Sequence, residues 1–129
     1  MIYLDTSVAL AQLFAEDRRP RPALWRESLV SSRLLEYELW TRMHARRVPA
    51  AGVEAARELL RRIALLDLSR ELVGRAVDSF PVAVRTLDAL HLASAQFLAD
   101  QGVELRVATY DERMRAAARA LGFAIFRLE

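Results

Sequence analysis

Short apolar runs alternate along the chain with longer stretches in which apolar residues return every three or four positions. The chain opens on Ile2-Tyr3-Leu4, a run of strand-favouring types that stops at a carboxylate, Asp5. Thr6 and Ser7 follow, both good helix N-caps, and Val8, Leu10, Ala11, Leu13 and Phe14 begin a helical pattern that runs to Ala15. Glu16 to Pro22 is polar and holds two of the four prolines, so it reads as a loop. Ala23 to Ser28 predicts a short helix with Trp25 inward, and Leu29-Val30-Ser31 a second strand.

The same rhythm continues. Ser32 is placed to cap a helix over Arg33 to Arg47, which Val48-Pro49 breaks. Ala50 to Ile63 is amphipathic, with Val53, Ala56, Leu59, Leu60 and Ile63 on one face and a mixed-charge outer face. Ala64 to Leu68 is a short strand, with Asp67 as a strand-end turn residue. Ser69 starts a helix through Phe80, stopped by Pro81. Thr86 is a candidate cap for a helix to Gln101 that is apolar nearly all round, the mark of a buried helix, and Gly102 ends it. Glu104 to Thr109 reads as a strand, a helix follows through Leu121 to Gly122, and Phe123 to Phe126 is a last strand. At that second strand-to-helix turn, Thr109 caps the helix with Glu112 completing a capping box, or Asp111 is itself the cap. Strands alternating with helices imply an α/β fold: one domain over residues 1–129, with a mostly parallel central sheet flanked by helices on both faces.

Composition narrows this picture. At 129 residues, 53% hydrophobic and 28% charged, the chain suits one globular domain with a real core. No apolar run is long enough to span a bilayer, and Met1 leads straight into the first strand rather than into a secretory signal. The absence of cysteine excludes disulfides and thiolate metal sites and fits a reducing compartment; a cytoplasmic setting is expected. The net charge is only +2, but all 19 basic residues are arginine. Every cation is therefore a guanidinium, suited to bidentate phosphate contacts, and no reaction that needs a lysine amine is open to the chain. Arg18, Arg19 and Arg21 lie in the first loop, either as solvated surface or as nucleic-acid contacts.

The chemistry rests on carboxylates. In a parallel sheet all strands end at one edge, and ligands bind there. Asp5 and Asp111 follow strands and would converge at that edge; Asp88 starts a helix and Glu38 lies early in one, so both can approach it. Alone, Asp5 reads as a turn or cap residue, and the rest of the chain makes it a candidate site residue. Glu38 falls among apolar positions of its helix, where an unpaired carboxylate is costly, so it is bound to a metal or forms an i,i+4 ion pair with Arg42. Asp88 stands in the first turn of a buried helix, with Arg85 just before it. His91 is one turn on and is read as a hydrogen-bonded core residue. Four acids in one pocket cannot all stay ionised without cations, and a hard, oxygen-seeking ion such as Mg²⁺ or Mn²⁺ is the physical remedy. Such an ion with an arginine-rich surface around it suits a polyphosphate substrate.

Four blocks of the sequence resemble those of PIN-domain ribonucleases, and in particular VapC-type toxins of toxin–antitoxin pairs. They are Ile2-Tyr3-Leu4-Asp5-Thr6-Ser7, Ser32-Arg33-Leu34-Leu35-Glu36-Tyr37-Glu38-Leu39, Arg85-Thr86-Leu87-Asp88-Ala89-Leu90-His91-Leu92-Ala93 and Ala108-Thr109-Tyr110-Asp111-Glu112-Arg113. They occur in family order and span nearly the whole chain. The resemblance implies a central first strand with an acidic metal pocket at its carboxyl edge. By position it makes Asp5, Glu38, Asp88 and Asp111 the acids, with Thr6 and Thr109 as small polar companions. Glu38 is preferred to Glu36 by its offset from Ser32 and its place on the helical wheel. Arg85 either neutralises Asp88 or touches RNA. The implied reaction is Mg²⁺- or Mn²⁺-dependent hydrolysis of an RNA phosphodiester, by a homodimer whose pocket a cognate antitoxin masks.

Two rivals fail on single residues. A phosphorelay receiver domain needs a lysine at its site, and the chain has none. A haloacid-dehalogenase-like phosphatase needs Asp-x-Asp at the first strand, and here Ser7 stands two after Asp5. A catalytically silent module of the same fold, binding RNA or protein, is the alternative left, since fold does not fix function.

Overall fold

The computed structural model describes residues 1–14, 17–78 and 80–129. The expected end of the first helix at Ala15 and start of the loop at Glu16 lie outside the described residues, as does Ser79 of the expected helix to Phe80.

Among the described residues, five strands form one sheet: β1 (Ile2–Leu4), β2 (Leu29–Ser32), β3 (Ile63–Leu66), β4 (Arg106–Ala108) and β5 (Ala124–Ile125). Their spatial order is β3-β2-β1-β4-β5, and every neighbouring pair is parallel. The helices are α1 (Thr6–Phe14), α2 (Arg33–Ala45), α3 (Ala50–Arg61), α4 (Arg70–Ala76), α5 (Thr86–Asp100) and α6 (Glu112–Ala120), with a 3₁₀ turn at Pro22–Arg26. The central position of β1 follows from its composition. Ile2, Tyr3 and Leu4 are all fully buried, as a strand covered on both faces requires. The two-residue period sends them to opposite sides. Ile2 and Leu4 join Val8 and Ala9 of α1, Leu35 of α2 and Leu59 of α3. Tyr3 joins Leu92 and Ala95 of α5 and Met114 and Ala117 of α6. A third cluster, Leu39, Met43 and Ala56, locks α2 to α3.

Where element ends differ from expectation, side chains with other work explain the difference. α1 starts at Thr6 rather than after Ser7, because Asp5 supplies the first helical acceptor: Val8 N–H donates to its carbonyl at 3.0 Å. The Thr6 and Ser7 hydroxyls are used elsewhere, as described below. Thr86 is likewise inside α5, whose N-cap is Arg85. Asp111, and not Thr109, caps α6, accepting from the backbone N–H groups of Arg113 and Met114. The expected caps Ser32 and Ser69 do accept from Leu34 and Leu72. β3 begins one residue early, because Ile63 pairs with Leu29; Asp67 is left at its exposed end, paired with Arg33 at 2.9 Å. α4 stops at Ala76, and Phe80 and Val84 pack against the Tyr3 side of the sheet. Gly102 and Gly122, at φ of 89° and 92°, end α5 and α6 as the left-handed backbone there requires.

Candidate active site

Every strand of a parallel sheet ends at the same edge, so β1, β2 and β4 deliver Asp5, the start of α2 and the Thr109–Asp111 turn to one place. The backbone of Asp5 is held from both sides. Its N–H donates to the Ala108 carbonyl at 3.0 Å, continuing the ladder, and the preceding carbonyl of Leu4 accepts from Ser31 Oγ at 2.6 Å.

The Asp5 carboxylate is buried but not neutralised by an arginine. Oδ2 accepts from Ser7 Oγ and from Thr109 Oγ1, both at 2.7 Å. Oδ1 has no hydrogen-bond partner among the described residues; its nearest cationic group is His91 Nε2 at 3.9 Å. Ser7 also accepts from Tyr110 N–H at 3.1 Å, and Thr109 Oγ1 from Asp111 N–H at 3.0 Å. Two small hydroxyls thus tie the α1 turn to the α6 turn through Asp5.

Glu38 meets the same site from α2. The Arg42 pair is not what engages it: Oε1 accepts from Thr6 Oγ1 at 2.8 Å and lies 2.9 Å from His91 Nε2. Glu36 points elsewhere and pairs with Arg33 at 3.4 Å. His91 is 1% exposed, with Nδ1 2.8 Å from the Tyr3 hydroxyl. Burial alone would push its pKa down; the Tyr3 oxygen, the Glu38 hydrogen bond and the Asp5 charge outweigh that and push it up to about 10. That shift favours the protonated imidazole, in which Nε2–H donates to Glu38 and Nδ1–H to the Tyr3 hydroxyl. His91 and Ser7 are parts of the site that reasoning from the sequence did not assign. The signal for His91 was its spacing from Asp88, one turn along the same helix.

Asp88 and Asp111 form the outer half. Arg85 Nε donates to Asp88 Oδ2 at 3.1 Å, and Arg85 Nη2 donates to Asp111 Oδ2. Burial raises the Asp88 pKa, the neighbouring Asp5 and Asp111 charges add to that, and Arg85 opposes them. All four sequence-predicted acids, with Thr6, Thr109 and Arg85, therefore gather at one edge of the sheet.

Their chemistry fits a hard divalent cation in kind. Asp5 Oδ1, Glu38 Oε2 and Asp88 Oδ1 have no hydrogen-bond partner among the described residues, and carboxylate oxygens are the donors that Mg²⁺ and Mn²⁺ prefer. The arrangement is closed in one respect. Among the described residues no three His, Asp or Glu side chains stand together as a ready metal site, and Asp88 and Asp111 are instead bridged by a guanidinium.

A cleft of about 210 Å³ opens at Ser7 and is lined by Arg18, Arg42, Arg46, Phe14 and Tyr110. A larger one of about 530 Å³, with Arg115, Arg119 and Arg127, shares Arg18 and Tyr110 with it. The Tyr110 hydroxyl is buried without a hydrogen-bond partner among the described residues, and the Arg18 guanidinium stacks 4.7 Å from its ring.

A doubly wound parallel sheet with acids from four separate segments at its carboxyl edge defines the class. The PIN domain family model matches residues 2–120, and the chain belongs to that family. Ribonuclease VapC46 of Mycobacterium tuberculosis is 38% identical over 128 residues, spanning 96% of this chain and 95% of that protein. Ribonuclease VapC47 of the same organism is 32% identical over 95% of this chain and 93% of its own, and Ribonuclease VapC35 is 31% identical over 97% and 95%. In fold the chain is similar to the crystal structure of M. tuberculosis VapC20, a sarcin–ricin-loop-cleaving toxin. The TM-score is 0.71, with 23% identity over 98% of this chain and 99% of that one.

Proposed function

We propose that this protein is a metal-dependent endoribonuclease toxin of the VapC type, hydrolysing RNA phosphodiester bonds at the Asp5–Glu38–Asp88–Asp111 site. The observation that carries the reading is the gathering of these four acids, distant in sequence, at one sheet edge beside arginine-lined clefts. The names of the VapC relatives, ribonucleases at 31–38% identity over nearly the whole chain, support it.

Asp5, Glu38, Asp88 and Asp111 would hold Mg²⁺ or Mn²⁺, which when bound supplies Lewis-acid stabilisation of the phosphodiester oxygens. The chain's own residues prepare this. Ser7 and Thr109 hold Asp5 by Oδ2 and leave Oδ1 for the ligand. Thr6 and His91 hold Glu38 by Oε1 and leave Oε2. The arginines of the adjoining clefts offer the flanking phosphates a sequence-independent grip that weakens with salt.

An antitoxin and a second copy of the chain are the protein partners of this proposal. The exposed Val73, Val77 and Val82 around the loop before α5 offer such a partner an apolar surface to cover. No helix among the described residues is long and apolar enough to cross a membrane, and a cytoplasmic site of action is proposed with the rest. The test is cleavage of total cellular RNA by purified, antitoxin-free protein in Mn²⁺, Mg²⁺ or chelator, with Asp5→Asn alongside. Discrete metal-dependent cuts, absent in the variant, are expected, and mapping their ends identifies the target. A folded protein that binds RNA in pull-downs but never cuts it would mark the silent binding module instead.

A further inference from the structure

The unusual member of the site is Arg85. Its guanidinium reaches two acids from different elements, Asp88 on α5 at 3.1 Å and Asp111 at the start of α6. Four carboxylates gather here; among the described residues Arg85 is the cation paired with the two outer ones, Asp88 and Asp111, and His91, on the inner side, is committed to Glu38 and Tyr3. Asp111 shows what this costs. Its Oδ1 is used in capping α6 and its Oδ2 in binding Arg85, so both oxygens already face donors, and a metal at Oδ2 has to compete with a guanidinium charge. Asp88 has one of its two oxygens engaged in the same way.

We propose that Arg85 is a built-in counter-ion that holds the outer acids in the metal-free protein and competes with the divalent cation for them. The inference rests on the metal-dependent reading above and deepens it by naming the residue that sets metal affinity. Three features make the displacement physically simple. The Arg85 backbone is anchored as the N-cap of α5, with Ala89 N–H donating to its carbonyl at 2.9 Å, so only a side chain has to move. That side chain is 62% exposed, against 13% for Asp88 and 23% for Asp111, so it can withdraw into water while the acids stay. Asp111 keeps its place through the α6 cap, and its Oδ2 comes free. The withdrawn guanidinium then stands at the mouth of the site, where a phosphate is the natural new partner for its planar donor fork.

The experiment is calorimetric titration of Mn²⁺ into the parent, Arg85→Gln and Arg85→Lys without RNA, with thermal unfolding of each in chelator. Arg33→Gln is the control, because Arg33 also bridges two acids, Glu36 and Asp67, but away from the site. Arg85→Gln is expected to bind Mn²⁺ about tenfold or more tightly, since the ion no longer has to break charge-assisted hydrogen bonds. Its metal-free form is expected to melt lower than the parent. Arg85→Lys, which keeps the charge but not the two-acid fork, is expected to fall between, and Arg33→Gln to match the parent in Mn²⁺ affinity. Equal or weaker Mn²⁺ binding by Arg85→Gln than by a binding parent overturns the counter-ion role and leaves the metal site standing. Absence of Mn²⁺ binding in all four folded proteins overturns the metal-dependent reading itself, and this inference with it.

Discussion

The two halves of the site use opposite physics on the same kind of group. On the inner half, Asp5 is buried and Glu38 is half-buried, and both are held by hydroxyls of Thr6, Ser7 and Thr109 and by an imidazole that is itself out of water. On the outer half, Asp88 and Asp111 are held by one exposed guanidinium. Buried hydrogen bonds are expensive to break because the orphaned partner cannot turn to solvent. An exposed ion pair is cheap to break because water replaces it. The inner half is therefore built to stay as it is, and the outer half to rearrange. One half fixes the geometry, while the other admits a ligand.

Four changes probe that contrast. The largest effect is expected from Asp5→Asn, which removes a carboxylate without altering its shape. RNA cleavage in Mn²⁺ should fall about 100-fold or more, beyond the 10–100-fold typical of groups that only support a metal ligand. Circular dichroism and melting should be nearly unchanged, because an Asn oxygen can still accept from Ser7 and Thr109. Cleavage at the parent rate would show that the acid pocket is not where RNA is cut.

His91→Leu comes next. It leaves the Tyr3 hydroxyl and Glu38 without their partner, and should lower the unfolding free energy in urea by about 3 kcal/mol. The loss should depend on pH. The folded His91 pKa, pushed up to about 10, lies above its unfolded value of 6.5. Its protonation stabilises the fold fully below the unfolded pKa, and that contribution is lost as pH rises through the folded one. The gap between parent and variant should therefore narrow between about pH 7 and pH 10; a gap that does not move with pH would mean that the imidazole is neutral in the fold.

Tyr3→Phe removes one hydrogen bond from the same chain of contacts and leaves the buried His91 Nδ1 unsatisfied, so it should cost about 2 kcal/mol, measured in the same urea titration. Asp88→Asn is expected to show the smallest stability change, and in the favourable direction. Burial has raised the Asp88 pKa, so its ionised form is a burden on the metal-free fold at neutral pH. In chelator the variant should melt at or above the parent. That advantage should shrink as pH falls into the carboxylate range, where the parent's Asp88 is protonated too. A clear loss of stability at neutral pH would mean that Arg85 stabilises Asp88 by more than burial penalises it.

Much of this site was legible in the chain because its signals are local. Asp5 follows a strand-type run and precedes a helix, and Asp111 repeats that arrangement, so both are placed at the sheet edge by period and punctuation alone. Glu38 stood out as a polar residue on an apolar helix face, and the structure puts it beside Thr6 and His91, whereas Glu36 pairs with exposed Arg33. What stayed hidden was the use made of hydroxyls. Thr6 and Ser7 have the chemistry of helix caps, and nothing nearby in sequence shows that Glu38, 32 residues away, would claim Thr6, or that Ser7 would donate back to Asp5 and accept from Tyr110 N–H, 103 residues away. His91 was misleading for the same reason: a histidine on a buried helix reads as core, and it is buried, but in contact with the acids.

The sequence by itself determined the order of strands and helices along the chain, the alternation that implies a mostly parallel sheet, and which acids end strands or begin helices. Those properties depend on residues within a few positions of one another, where periodicity, caps and breakers act. Only the tertiary structure decided that Arg85 spans Asp88 and Asp111, that His91 links Tyr3 to Glu38, and that Ser7 and Thr109 share Asp5. Each of these is a contact across 26 to 104 residues of chain, or a choice among partners that only such contacts settle. Electrostatics and hydrogen bonding act through a few ångströms of space, and the parallel sheet is what makes that space small.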